Sequence, residues 1–351
     1  MTASIDLFKG RTTKKEQRVD KLKIGILGTA DIAREFMAGI RLSQKADVVA
    51  IASRTLDKAE AFASEFEIGK AYAAYDALLA DVEIDAIYNP LPNTLHAEWS
   101  IRAAEAGKHV LCEKPLTPSA IDATAIFEAA QKNSVHIVEA YPYLAQPQTI
   151  RLRQLLDEGA IGRVRLVRAS IGFSMSDRDN IRLDPTLAGG SLLDAGSYPV
   201  SLVRVIAGER ATRTYAVADW TETGVDRSMV ATLEHAGGLL AQISCSFGTG
   251  VHRHALISGD EGVIETSYSN HTSPERPAVL QLRRGTSWST AYETISLPEM
   301  DGFLAEIDSF ADLISIGSPQ WSGATPEQSV DIARTLEAII ASARAHIPID
   351  L

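Results

Sequence analysis

Ile24-Gly25-Ile26-Leu27-Gly28-Thr29-Ala30-Asp31-Ile32-Ala33 is the stretch on which the fold turns. A short apolar run ends at Gly28, and Ile32, Phe36, Met37 and Ile40 then recur at three- and four-residue spacing, which puts them on one helical stripe. A strand therefore turns sharply into a helix at Gly28. Ala30 and Ala33 stand at the second and third positions of a G-x-G-x-x-G/A pattern. Small residues there let a pyrophosphate approach the backbone, and the free N–H groups of the helix start favour an anion. Ala30 departs from the usual glycine and narrows that approach. Gly28, Thr29, Ala30, Asp31 and Ile32 are the candidate dinucleotide contacts; a plain strand-to-helix turn is the alternative.

Working outward, strands are predicted at Val48–Ala52, Ile84–Tyr88, His109–Cys112 and Val135–Val138. Helices through Leu56–Phe66, Thr94–Ala106 and Pro118–Lys132 separate them. This alternation predicts a doubly wound parallel sheet, an α/β Rossmann domain over residues 21–140. Beyond Tyr141 the rhythm changes. A helix at Ile150–Leu156 is followed by strand-like runs at Val164–Phe173, Thr214–Ala218, Met229–Leu233, Leu239–Ser246 and Ala278–Leu282, and a closing helix spans Pro326–Ala345. Residues 141–351 thus read as an α+β domain with a large open antiparallel sheet, serving substrate binding and oligomerisation.

The end of the second strand, Ser53-Arg54-Thr55, has no acid before Asp57. An acid there would receive the 2′-hydroxyl of NAD, whereas a guanidinium and hydroxyls suit a 2′-phosphate. Ser53 and Arg54 therefore point to NADP rather than NAD. The other reading makes Arg54 a solvated residue and Thr55 a helix cap.

With 351 residues the chain can bury a sizeable core, and a net charge of -11 argues against nucleic acid or an anionic membrane as partner. Cys112 and Cys245, far apart in sequence, make neither a disulfide framework nor a cysteine-based zinc site, and a reducing cytoplasm fits. Residues 1–20, with Lys9, Arg11, Lys14, Lys15 and Arg18 and no long apolar run, read as a polar tail or as a dimer-stabilising arm. His252 and His254 alternate along an apparent strand and share a face; without further ligands they read as solvated or interface residues, and no metal is expected.

Asn89-Pro90-Leu91-Pro92-Asn93-Thr94-Leu95-His96, Ala103 to Leu116 with Glu113-Lys114-Pro115, Gly159-Ala160-Ile161-Gly162, Gly189 to Tyr198, and Ser258 to Gly262 occur in one order. Together they resemble the signature of the Gfo/Idh/MocA oxidoreductase family, over nearly everything but the tail. The resemblance implies a Rossmann domain, an open-faced sheet whose outer face forms the oligomer interface, and an active site between them. It makes Lys114 the catalytic lysine. Where members often carry Asp-x-x-x-His, this chain has Asp194 and Tyr198, which is similar to the branch with dihydrodiol dehydrogenase and NADP-dependent sugar dehydrogenases.

The expected activity is hydride transfer between nicotinamide and a CH–OH or C=O group of a sugar, cyclic polyol or trans-dihydrodiol. Tyr198 would exchange the hydroxyl proton, helped toward the phenolate by Lys114, while Asp194 orients the substrate. In the alternative, Asp194 caps a helix and Tyr198 packs in the core. Asn93 and His96 are expected near the nicotinamide, His96 as a cofactor contact or a packing residue, and Glu113 at the nicotinamide ribose or behind the lysine. Arg178, Asn180 and Arg182 form the expected substrate loop. A homodimer is the simplest assembly, and a dinucleotide-binding regulator without turnover is the competing function.

Overall fold

The computed structural model describes residues 21–177, 180–317 and 321–351. The tail of residues 1–20 and Arg178 lie outside them. The first half alternates as the sequence predicts: β1 (Leu22–Leu27), α1 (Asp31–Ile40), β2 (Ala46–Ala52), α2 (Leu56–Phe66), β3 (Lys70–Tyr72), α3 (Tyr75–Leu79), β4 (Ala86–Asn89), α4 (His96–Glu105), β5 (His109–Glu113), α5 (Ala120–Lys132) and β6 (Ile137–Ala140). All six strands pair in parallel, in the order β3-β2-β1-β4-β5-β6. The order reverses between β1 and β4, so the crevice where ligands bind in such sheets opens beside Gly28 and the loop after Asn89. β3 and α3, three and five residues long, were not among the predicted elements.

Apolar stripes hold α1 on one face of the sheet. Phe36 stacks on Tyr88 of β4 at 3.9 Å between ring centroids, and Phe303 meets Phe36 edge-on at 5.8 Å. Phe303 comes from α8 (Gly302–Ser315), a helix far down the chain that buries Phe303, Ile307 and Phe310 in the first core. The sequence reading assigned this segment to the second domain. Gly39 permits the crossing: a Cβ there would lie 2.8 Å from the Cβ of Phe303.

The second half contributes α6 (Pro147–Asp157), β7 (Val164–Ser174), α7 (Ser197–Ala207), β8 (Ala211–Trp220), β9 (Asp226–His235), β10 (Leu240–Ser246), β11 (Gly248–Gly259), β12 (Gly262–Thr266), β13 (Val279–Arg284) and β14 (Glu293–Ser296), then α9 (Pro326–Ala345) and β15 (Ile349–Asp350). They form one nine-stranded sheet in the order β14-β13-β12-β11-β7-β10-β9-β8-β15. It is antiparallel except where β7 and β10 run side by side. Along β9, Met229, Ala231 and Leu233 are buried while Val230, Thr232 and Glu234 are exposed, so one face packs on α6, α7 and α9 and the other is open. A buried ion pair, Arg204 Nε to Asp331 Oδ2 at 2.9 Å, ties α7 to α9.

Candidate active site

The nucleotide end of the site is built on backbone. Gly28 has φ +84°, the left-handed region that favours glycine, and a Cβ there would approach Leu91 Cδ2 to 3.1 Å. Ala30 precedes α1 without a side-chain cap, which leaves first-turn N–H groups open to an anion. Thr29, Ala30 and Ile32 are half-buried around this cradle and Asp31 is exposed. Ser53 is buried, and its N–H donates to Tyr72 O at 3.1 Å. The exposed Arg54 and Thr55 are therefore the side chains open to a ligand at the end of β2. Thr55 makes no side-chain cap to α2, and among the described residues Arg54 has no ion-pair partner. A glycine cradle, an uncapped helix start and a free guanidinium fit a dinucleotide carrying a further phosphate.

Of the two roles left open for His96, its burial favours packing over a cofactor contact. It is 1% exposed, and its ring nitrogens face Leu91 O at 2.6 Å and Pro115 O at 2.9 Å. Burial pushes its pKa down. The ring fastens the loop after β4 to the Lys114–Pro115 segment, whose peptide bond is cis. Asn93 reaches the other way, donating from Nδ2 to Ala188 O at 2.9 Å across the cleft. Glu113 is likewise turned inward. It is 7% exposed, accepts from Tyr88 Oη at 2.7 Å and from the Lys114 N–H at 3.3 Å, and burial raises its carboxyl pKa. It stands behind the lysine, one of the two places expected for it.

Lys114 Nζ meets Asp194 Oδ1 at 3.1 Å and Asp194 O at 2.9 Å. Arg182 Nε takes the other carboxylate oxygen, Oδ2, at 2.8 Å. Asp194 lies in a π-helical turn, Leu192–Gly196, that leads into α7, a distortion often found at functional sites. Burial pushes its carboxyl up, but Lys114 and Arg182 outweigh that and hold it below the usual range. Burial alone would lower Lys114; Asp194 and its neighbours keep it raised. Asn180 accepts from Arg182 N at 3.1 Å and so shapes the loop that delivers Arg182.

One turn on, Tyr198 has Lys114 Nζ 5.1 Å from its ring centroid. Its hydroxyl accepts from Asn270 Nδ2 at 2.9 Å, which leaves its own proton free for another acceptor. The sequence reading expected lysine to bring this hydroxyl toward the phenolate. Lys114 does act that way, but burial is the larger effect and the hydroxyl pKa stands above its ordinary value. His252 and His254 sit exposed on the opposite face of the sheet, the latter 3.1 Å from Glu265 Oε2.

Two family descriptions match the chain: an oxidoreductase family with an NAD-binding Rossmann fold over residues 22–141, and the GFO/IDH/MocA C-terminal domain over residues 149–265. The D-xylose 1-dehydrogenase (NADP(+)) 2 of Haloferax volcanii is 36% identical over 336 residues, spanning 94% of this chain and all of its own. The chain belongs to the GFO/IDH/MocA oxidoreductase family. Trans-1,2-dihydrobenzene-1,2-diol dehydrogenase of Danio rerio is 34% identical over 70% of this chain and 74% of its own. The crystal structure of a 3-ketoreductase from Actinomadura kijaniata with NADP and TDP-benzene superposes with a TM-score of 0.82 at 30% identity, covering 92% of this chain and 98% of that one.

In this GFO/IDH/MocA chain, side chains that the sequence reading did not mark complete the site. Asn270 follows β12 and holds the Tyr198 hydroxyl. Asp226 on β9 accepts from Ser191 Oγ at 2.6 Å and Leu192 N at 2.7 Å, pinning the start of the π-helical turn. Gly190, at φ +116°, lies against Asp226 so closely that no Cβ fits. Arg253 on β11 stacks over Tyr198 with its Cζ 4.2 Å from the ring centroid. These residues meet Tyr198 or its turn only through tertiary packing; the one sequence signal is the alternation of β11, which puts Arg253 on the face opposite His252 and His254.

Proposed function

We propose that this oxidoreductase uses NADP to transfer a hydride to or from a CH–OH or C=O carbon of a sugar, cyclic polyol or trans-dihydrodiol. The observation that carries the reading is the assembly of Lys114, Asp194 and Tyr198 at the carboxyl edge of the parallel sheet, in the cleft that also holds the Gly28 cradle. The NADP relatives and the unpaired Arg54 support the choice of cofactor. When bound, nicotinamide supplies the acceptor or donor of the hydride.

The protein's own groups do the rest. In oxidation Tyr198 takes the substrate hydroxyl proton; in reduction it gives that proton back. An ammonium has three N–H donors, and two of those of Lys114 are held by Asp194, so the third is fixed in direction and stabilises negative charge on the substrate oxygen. Asp194, with each carboxylate oxygen already receiving one cation, retains lone pairs for a neighbouring substrate hydroxyl. The vicinal diol shared by sugars and dihydrodiols suits that second contact. Purified protein with NADP+ and a panel of aldoses, inositols and dihydrodiols should generate reduced nicotinamide, seen by its absorbance. Cofactor binding without turnover on the whole panel would count for a regulator instead.

We assign the open face of the nine-stranded sheet to a homodimer contact. Tyr215, Val217, Val230 and Leu240 lie exposed there, apolar side chains that a second copy would cover. A cytoplasmic setting accords with Cys112 and Cys245, both buried as free thiols.

A further inference from the structure

We propose that Arg253 is a positioning residue for Tyr198: its guanidinium, stacked among tyrosines and free of any acidic partner among the described residues, supplies the positive charge that stabilises the Tyr198 phenolate. The inference rests on the reading of Tyr198 as the proton-transfer group.

Arg253 pairs with Ile171 across the β11–β7 ladder and, two residues from buried Ala255, points to the inner face of the sheet. Its Cζ lies 4.2 Å from the ring centroid of Tyr198, 4.5 Å from that of Tyr268 and 5.4 Å from that of Tyr143. Nε and Nη2 are buried, and neither makes a hydrogen bond. Buried donors left unpaired are costly, and an apolar side chain would fill the same space without that cost. The charge itself is what the position retains.

The surroundings of Tyr198 show why one lysine is insufficient. From the end of β5 come Lys114 and Glu113; from the π-helical turn, Asp194; from β4, Tyr88; from the segment after β6, Tyr141 and Tyr143; from β11, Arg253; and from the segment after β12, Tyr268 and Asn270. Asp194 offsets part of the Lys114 charge at 3.1 Å while also receiving Arg182 at 2.8 Å, and Glu113 opposes phenolate formation. Burial pushes the hydroxyl pKa up, and Lys114 and Arg253 push it back. Among the described residues no carboxylate pairs with Arg253, whereas Asp194 pairs with Lys114.

The test titrates Tyr198 in the full chain by ultraviolet phenolate absorbance, as the difference between each protein and the same protein with Tyr198→Phe. It compares the wild type, Arg253→Lys and Arg253→Met, with Arg253→Gln as a second uncharged variant should the methionine protein fail to fold. Uniform incorporation of 3-fluorotyrosine, a more acidic phenol, brings the midpoint into the range where the fold persists. Removing the charge should raise the midpoint by about one unit or more, the lower end expected for an opposite charge at this range. Arg253→Lys should stay near wild type, and the pH limb of substrate oxidation should move with the midpoint while NADP affinity is unchanged. An unmoved midpoint in the uncharged variant, or equal displacement in the lysine and methionine proteins, overturns the proposal. The titration needs no substrate. A raised midpoint in a protein that oxidises nothing upholds this inference and sinks the functional reading.

Discussion

Asp194 binds the Lys114 ammonium twice, through carboxylate Oδ1 at 3.1 Å and through its own main-chain oxygen at 2.9 Å. The main-chain contact survives substitution, so Asp194→Asn should keep the lysine in place while removing the countercharge and one of the two acceptor oxygens that Lys114 and Arg182 use. Turnover is expected to fall on the order of a hundredfold, as when one preorganised electrostatic partner is lost. Because Asp194 is held low in the fold, its stabilising effect is present above about pH 4 and lost as pH falls through its folded value. Lys114 is held high, so its effect is present below about pH 10.4 and lost as pH rises through its folded value. Denaturant titrations of wild type and Asp194→Asn across pH should differ most between those limits.

Arg54 should decide between the two nicotinamide dinucleotides. Arg54→Asp is expected to raise KM for NADPH at least about tenfold, the loss of one charge-assisted phosphate contact, with little change for NADH. Steady-state kinetics with both cofactors measure it; equal effects on the two would remove Arg54 from the phosphate site.

Glu139, at the end of β6, accepts from Leu116 N at 2.8 Å and so supports the segment after Pro115. Burial raises its pKa to about 7. The native state therefore keeps a proton that the unfolded chain releases from about pH 4.3 upward, and stability falls as pH rises from there to about 7. Glu139→Gln keeps the acceptor and removes the titration. It should flatten that slope and stabilise the protein at pH 8 by, at most, about 4 kcal/mol. A stability profile identical to wild type would contradict the assignment.

The Arg204–Asp331 pair is a structural counterpart outside the cleft. Asp331→Ala leaves a buried guanidinium without its main acid and should cost about 3–5 kcal/mol in denaturant unfolding, while the cofactor KM is unchanged. On the open sheet face, Val230→Glu should convert a dimer to a monomer by light scattering. A dimer that persists would move the contact to another surface.

The parallel half was legible because each strand is an apolar run and each helix a periodic stripe, and Gly28 marks the turn between the first two. β3 and α3 escaped because three and five residues carry too little periodicity. α8 was missed and its segment placed elsewhere: nothing local says that Phe303 must pack on Phe36, some 270 residues earlier. In the site, Lys114, Asp194 and Tyr198 were found through motif resemblance, and Arg182 through its position before the glycine pair. For His96 and Glu113 the sequence leaves a cofactor contact and a supporting role side by side, and burial, which a sequence does not display, favours the supporting role for both. The raised Tyr198 hydroxyl has the same origin.

The central claim is that Tyr198 moves a proton while hydride passes between nicotinamide and a substrate carbon. Its most direct test is NADP+ reduction with the best substrate of the panel, in wild type and Tyr198→Phe, beside cofactor binding measured by fluorescence. Loss of the hydroxyl should lower kcat by about 10²–10⁴-fold, the range for general acid–base groups, with NADP affinity intact. Near-normal turnover by Tyr198→Phe would contradict the account.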